Sequence, residues 1–474
     1  MELDPKEFQR RRQRKQDQRR QQQKKQRRMI LRLGLAAVAL ILTAILIISV
    51  VSKKGKAEPE TTTVATQPVT TQPAATQDST GETGTTPTMA PDTVLHLAFG
   101  GDLNITPKVV GSATGDYDYT QALLDVTPVL AQADLTVLNF EGSFFGAPYG
   151  EDRSAPPSLA TALKNSGVDM LQLANSYSIY KGMDGLASTV KTVREAGMLP
   201  VGAYANTDEA EAGKGYTIQT VQGVKIAFVA FTKGMHEGMT IPPGNEKCVN
   251  LLYSDYASDY QTIDEKSITE ILSAAKEESP DMIVALLHWG SEYNNTISTT
   301  QNEICQLLQE NGVSAIIGTH SHFLQEMKLD PQTGNFVAYS LGDFMGEAPR
   351  SGAEYSVILD LEVTKNGTTG KTTVTSFSYT PIYQVLEEGK PMRVLRIREA
   401  ITAYESGYID RVSEATYNSM KNALEACASR AQPIEEPTEE NEDTADRDFT
   451  MVYVVISILA FLFLVIWIIK KIRK

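Results

Sequence analysis

From about residue 93 to residue 430, short apolar runs alternate with stretches of helical period, which limits this part of the chain to sheets covered by helices. The runs VLHLAFG (94–100), LTVLNF (135–140), DMLQLA (169–174), KIAFVAF (225–231), DMIVALL (281–287), SAIIG (314–318) and FVAYSL (336–341) are almost continuously apolar, as strands buried on both faces are. Between them, 119–132, 156–166, 185–197, 262–278 and 299–311 have the spacing of amphipathic helices. YSVILDLEV (355–363) and 371–380 follow without an intervening helix, so part of the sheet system is expected to be antiparallel. Residues 393–429 read as helical, with Leu395, Ile397, Ile401, Tyr404 and Tyr408 roughly periodic.

The flanks are of another kind. Leu33 to Val51 and Met451 to Ile469 are apolar runs of about nineteen residues, long enough to cross a bilayer as helices. A basic, Gln-rich segment precedes the first and KKIRK follows the second, and Lys and Arg mark the cytoplasmic side of a membrane helix. Both ends are therefore expected inside and the globular part outside. A cleaved signal peptide is the rival reading of the first run, but its apolar part exceeds a signal core and no small-x-small site precedes SKKGKAEPE. Residues 55–92, rich in Thr, Gln, Pro and Ala, bury too little to fold and read as a spacer; PIEEPTEENEDTADRD (433–448) reads as an acidic linker.

Residues 1–28 hold 12 basic and 4 acidic groups and KKIRK four more basic ones, so the formal charge of −14 leaves −26 for residues 29–469. So acidic a middle argues against nucleic acid as a partner. The basic segment suits anionic lipid headgroups. Cys248, Cys305 and Cys427 make neither a disulfide framework nor a cysteine metal site.

Ligand-type side chains recur just past the strand ends, where α/β folds gather their chemistry. Asp102 follows LAFGG, Asn139 and Glu141 lie in LNFEGS, Asn175 follows LQLA, His288 and Glu292 lie in HWGSE, and Asp343 lies in YSLGDF. His320 and His322, two of only five histidines, end the run IIGTHSH. Singly, an Asp or Asn at such a position is more often a turn residue or helix cap, and His288 beside Trp289 reads equally well as a core histidine. Together they suit Zn, Mn or Fe.

These residues resemble the CapA-type proteins of poly-γ-glutamate capsule synthesis. The family order is G-D, N-L-E, N-N-H-x-x-D-x-G, H-W-G-x-E, G-H-H-P-H and Y-S-L-G-N-F; here GGD (100–102), NFE (139–141), NSYSIYKG (175–182), HWGSE (288–292), GTHSH (318–322) and YSLGDF (339–344) follow in the same order. The resemblance implies a metallophosphatase-like (calcineurin-like) fold, an α/β/β/α sandwich of mixed sheets. It also implies one or two divalent ions (Mn, Zn or Fe) held among Asp102, Asn139, Glu141, Asn175, His288, His320 and His322. Catalytic roles fall to His288, Glu292 and His320, with Tyr177, Tyr180, Trp289 and Asp343 lining the site. The departures are Tyr177 and Tyr180 in place of the family's His and Asp, Thr319 in place of the first His of G-H-H-P-H, and Asp343 in place of the final Asn. Tyrosine is a poor ligand or acid at neutral pH.

The organisation expected is a basic cytoplasmic segment (1–28), a transmembrane helix (29–51), a linker (52–92), a CapA-like domain (93–385), a helical extension (386–432), an acidic linker (433–449), a second transmembrane helix (450–469) and a basic tail (470–474). The expected role is in making, exporting or anchoring an anionic envelope polymer at a bacterial membrane, beside synthase or export subunits. A metal-dependent hydrolase and a non-catalytic scaffold both answer to this description.

Overall fold

The predicted apolar runs pair into two mixed sheets, and the chain leaves the first sheet half-built to make the second. Strands β1 (Thr93–Asn104), β2 (Leu135–Glu141), β3 (Met170–Gln172) and β4 (Leu199–Val201) run parallel in that order. The second sheet then takes β5 (Tyr216–Val221), β6 (Val224–Thr232), β7 (Met282–His288), β8 (Ala315–Thr319), β9 (Met327–Leu329) and β10 (Phe336–Ala338), in the order β5-β6-β7-β8-β10-β9. β11 (Asp343–Met345) returns to pair with β1, and β12 (Tyr355–Lys365), β13 (Thr372–Val385) and β14 (Arg393–Arg396) extend the first sheet antiparallel from its other edge. This computed structural model describes residues 90–431 except 388, 410 and 411. Both apolar runs expected to span a membrane, nearly all of the 52–92 linker and the acidic linker lie outside the described residues. Among the described residues no helix is long and apolar enough to cross a membrane.

Strand alternation builds the layers. On β6, Ile226, Phe228 and Ala230 join the core shared with the first sheet, while Ala227, Val229 and Phe231 point the opposite way. There they meet α1 (Glu265–Glu277) and α2 (Thr299–Glu310) through Ile268, Leu272, Ile304 and Leu308. Helices Pro157–Asn165 and Gly182–Glu195 bury Leu159, Leu163, Leu186, Val190 and Val193 in the first sheet's core. The result is the mixed α/β architecture expected, with helices on the outer face of each sheet.

Two local readings need correction. The helix expected over 119–132 is two short turns, Thr120–Leu123 and Thr127–Leu130, because Pro128 has no N–H to continue a helix from the residues before it. The stretch from 386 is not wholly helical: its RVLR forms β14, whose Val394 and Leu395 are buried, before helices Ile397–Glu405 and Glu414–Arg430.

Candidate metal centre

The C-terminal ends of β1, β2, β7 and β8 bring the expected residues to one edge of the two sheets. In the pairing of β1 with β2, Asp102 stands opposite Asn139 across a register shift that takes up Gly100 and Gly101. A Cβ at Gly101 would lie 1.7 Å from the carbonyl oxygen of Gly342, so only glycine admits the strand this close to the turn before β11. Asp102 N–H donates to that same oxygen at 3.0 Å. His288 is the last residue of β7 and packs its ring 4.4 Å from that of His320.

His320 and His322 sit just past β8 with φ of 87° and 58°, in the left-handed region that L-residues seldom occupy. Such strain persists where the surroundings hold it in place, and here it parts the two rings. Glu141, His288 and His320 form one group of donor atoms and Asp102, His322 and Asp343 another, the atoms of each group lying within 4.8 Å of one another. All six residues are buried. The groups adjoin: His288 Nε2 is 3.3 Å from Glu141 Oε1, and its Nδ1 is 4.0 Å from Asp102 Oδ1.

Hydrogen bonds pin the carboxyls and leave selected lone pairs open. Asn139 Nδ2 donates to Asp102 Oδ1 at 2.5 Å, and the backbone N–H of His320 donates to Asp102 Oδ2 at 2.9 Å. His322 Nδ1 lies 2.7 Å from Asp343 Oδ1, the carboxylate–imidazole contact that orients a ligating ring. Glu141 Oε1 and Asp343 Oδ2 are buried without a hydrogen bond among the described residues. Glu141 Oε1 is within ion-pair reach of His288 Nε2 but lacks hydrogen-bond geometry to it, so we count it as open. One open carboxylate oxygen in each group, beside buried imidazoles, fits a divalent ion with mixed nitrogen and oxygen preference.

Electrostatics favour ligation by the histidines of the first group, whereas His322 must give up a proton to an arriving ion. Burial pushes the Asp102 carboxyl up to about 6 and raises Glu141 well above the carboxylate range, with Asp102 adding to the rise. Burial also holds His288 and His320 well below the usual imidazole value, leaving them neutral and able to ligate. At His322 burial opposes the cation, but Asp343, Glu141 and Asp102 outweigh it and lift the ring to about 10. A bound ion would reverse the charge imbalance that raises the carboxyls.

The pH dependence follows in sign. A carboxyl whose folded pKa is raised stabilises the metal-free fold at low pH and loses that contribution as pH rises through about 6, the value for Asp102. Metal binding needs the proton gone, so its benefit grows over the same range. The metal-induced rise in Tm should therefore be larger at about pH 7 than at about pH 5. Equal rises in thermal melts at both pH values would remove Asp102 from the ligand set.

The remaining expected residues fall in different places. Asn175 holds the scaffold: its Nδ2 donates to Phe140 O at 2.7 Å and Asn139 Oδ1 at 3.2 Å, and its Oδ1 accepts from Tyr177 N–H. Glu292, expected to be catalytic, is exposed and belongs to neither donor group. Trp289, expected to line the site, is fully buried on the helix side of the second sheet, with its Nε1 donating to Tyr339 O at 2.8 Å. Adjacent residues at a strand end face opposite ways, so His288 and Trp289 cannot both reach the site. Tyr177 and Tyr180 pack against His236, at ring distances of 4.9 and 5.5 Å. His236, Asn104 and Arg153 were not anticipated. Asn104 Nδ2 lies 3.3 Å from His322 Nδ1, and Arg153 donates to Asn104 Oδ1 and, at 2.7 Å, to the Tyr177 hydroxyl. Asn104 lies in a strand end beside Asp102 and is the one legible candidate; the other two belong to short 3-10 turns, Glu151–Arg153 and His236–Gly238, without a motif. A larger cleft of about 530 Å³, beside α1, contains none of the donor residues.

Residues 96–348, more than half of the chain, match the family model described as bacterial capsule synthesis protein PGA_cap. The chain belongs to that family. Among relatives of this PGA_cap member, the capsule biosynthesis protein CapA of Bacillus anthracis is 24% identical over 321 residues, covering 65% of this chain and 72% of the relative. The PGA biosynthesis protein CapA of Bacillus subtilis (strain 168) is 24% identical over 283 residues, covering 58% and 70%. Similar solved structures include the calcineurin-like phosphoesterase YfkN from Bacillus subtilis, with a TM-score of 0.39, 18% identity, and coverage of 70% of this chain and 100% of that one. A phosphatase from Mycoplasma pneumoniae gives a TM-score of 0.39 at 14% identity, covering 61% and 94%. Superpositions this loose say nothing of the chemistry. The family match takes in both donor groups, from Asp102 to Asp343.

Proposed function

We propose that this PGA_cap member is anchored in the bacterial cell membrane with its domain outside, and hydrolyses a bond in an anionic capsule polymer with one or two divalent ions. The observation that carries the reading is the pair of buried donor groups, each with one carboxylate oxygen open. Glu141, His288 and His320 would hold one ion, and Asp102, His322 and Asp343 a second. Such ions, when bound, would supply an activated water and charge for the oxyanion of a hydrolytic transition state. The protein's part is to orient His322 through Asp343, to fix Asp102 through Asn139 and to keep His288 and His320 neutral.

A second reading has its own support. Burial raises the Tyr177 phenol above its already high range, and its hydroxyl accepts a hydrogen bond from Arg153, so it does not replace the family's histidine as an acid. A non-catalytic scaffold with a degenerate metal site, binding polymer for a synthase or export subunit, also fits. Full-length protein purified in detergent separates the two. Turnover of poly-γ-glutamate or of a phosphoester, lost on chelation and restored by Mn or Zn, is the result expected of a hydrolase. Bound metal without turnover of either, or protein that takes up no ion at all, would leave the scaffold.

A further inference from the structure

A pocket of about 320 Å³ opens beside the second donor group, lined by Asn104, Arg153, Tyr180, Tyr293 and Glu347 among others. It joins the candidate metal centre at two points: Asn104 touches His322, and the Tyr293 ring stacks on the His322 ring at 4.8 Å. The two acids at its wall are already paired, Asp152 with Lys181 at 2.9 Å and Glu347 with Lys108 at 3.0 Å. Arg153 differs. It is half-buried, and among the described residues its hydrogen bonds go only to neutral oxygens, Asn104 Oδ1 and the Tyr177 hydroxyl, with its guanidinium 3.9 Å from the Tyr177 ring centroid. Among the described residues no carboxylate lies within ion-pair distance of it, although its charge reaches Glu141 and Asp343, so the guanidinium keeps capacity for an anionic partner.

The backbone adds an independent sign. Asp152 and Arg153 are consecutive L-residues with φ of 46° and 60°. The segment is tied down just beyond β2, where Ser143 N–H donates to Arg153 O at 2.9 Å. Tyr293, across the pocket, also has a positive φ of 53°, as do His320 and His322. Among the described residues five of the twelve non-glycine residues with positive φ thus lie in or beside this pocket and the donor groups, where their surroundings hold them in place.

We propose that Arg153 is the substrate-anchoring cation of this site: its guanidinium receives a carboxylate or phosphate group of the substrate in the pocket and sets that group beside the Asp102, His322 and Asp343 cluster. The planar fork of arginine pairs with either anion through two parallel hydrogen bonds. The proposal rests on the metal-centre reading above and gives it a specificity residue. It also explains how so acidic a chain can accept an acidic ligand, since recognition is confined to one cation in a small pocket.

The test uses full-length, metal-loaded protein titrated calorimetrically with inorganic phosphate and, separately, with N-acetylglutamate. The probe that binds tighter identifies the acidic group. Arg153→Gln should weaken that probe by about tenfold or more, and Arg153→Lys should recover part of the loss, since lysine keeps the charge but not the fork. Arg350→Gln is the control: Arg350 is exposed, lies 4.5 Å from the Tyr293 ring centroid and does not line the pocket, so its loss should change binding by less than about twofold. Equal weakening by Arg350→Gln would reduce Arg153 to a contribution to the general field, and unchanged affinity in Arg153→Gln would overturn the proposal outright. Metal content, assayed in each sample, should match the wild type; if Arg153→Gln loses metal, Arg153 is a prop for Asn104 and His322 instead. Wild-type protein that holds no metal would defeat the metal reading alone, because the same comparison can be made after chelation.

Discussion

Full-length protein carrying His288→Ala retains on the order of a hundredth of the wild-type metal affinity or less. His288 is fully buried between the two donor groups, 3.3 Å from Glu141 Oε1 and 4.0 Å from Asp102 Oδ1, and burial keeps it neutral. Its removal takes a ligand from the first group and leaves Glu141 with a hole where the imidazole stood. Losing even a residue that only orients a ligand commonly weakens metal binding by about 10- to 100-fold, so a ligand itself should cost at least the upper figure. Elemental analysis after purification and metal titration against a fluorescent chelator read this directly. His288→Gln, which fills more of the volume, guards against mere unfolding, and Trp289→Phe serves as its neighbour control. Trp289 points into the helix-side core, so its substitution should leave metal content unchanged while lowering Tm. Wild-type metal content in His288→Gln would remove His288 from the centre.

Gly101→Ala should lower stability by about 3 kcal/mol, with a Tm fall of roughly 4 °C for a domain of this size. The new methyl would stand 1.7 Å from Gly342 O and 2.8 Å from Gly342 C, and both are backbone atoms. No side-chain rotation relieves that contact; β1 must part from the segment leading into β11, breaking the hydrogen bond from Asp102 N–H to Gly342 O. Because Asp102 and Asp343 stand opposite each other across this pairing, metal affinity should fall together with Tm. Gly111→Ala gives the contrast, since a Cβ there meets nothing within 4 Å. Thermal melts of the two variants side by side decide the matter: equal Tm values would mean that the close approach at Gly101 contributes nothing.

Much of this was legible in the amino-acid pattern. The strands around the site could be read because they are nearly all apolar, and the motif order picked out five of the six donor residues as ligands and the sixth, Asp343, as a lining residue. Their division into two groups could not be read. His320 and His322 are two apart and would share a face in an extended strand, but left-handed backbone at both turns them to different partners. Asp343 looked like a lining residue because a family pattern has Asn there, whereas its contact with His322 depends on a turn from the other sheet. Glu292 follows His288 in the motif but lies exposed outside both donor groups, where its charge still reaches Asp343 and Tyr177. Arg153 and His236 lay beyond reach because such short turns have no periodicity from which a direction can be read.

The order in which the chain lays down its sheets has a kinetic consequence. Asp102 accepts from the backbone of His320, 218 residues later. Contacts of such long sequence separation form late, because the entropy of loop closure must be met before they give any return. The first strand therefore gains Asn139 as a partner for its carboxylate once β2 has formed, but the donor to its second oxygen waits for the whole second sheet. An ion captured at that point would bind a fragment, whereas an ion that arrives after β11 has closed locks the finished domain. Metal supply should thus slow unfolding far more than it speeds folding.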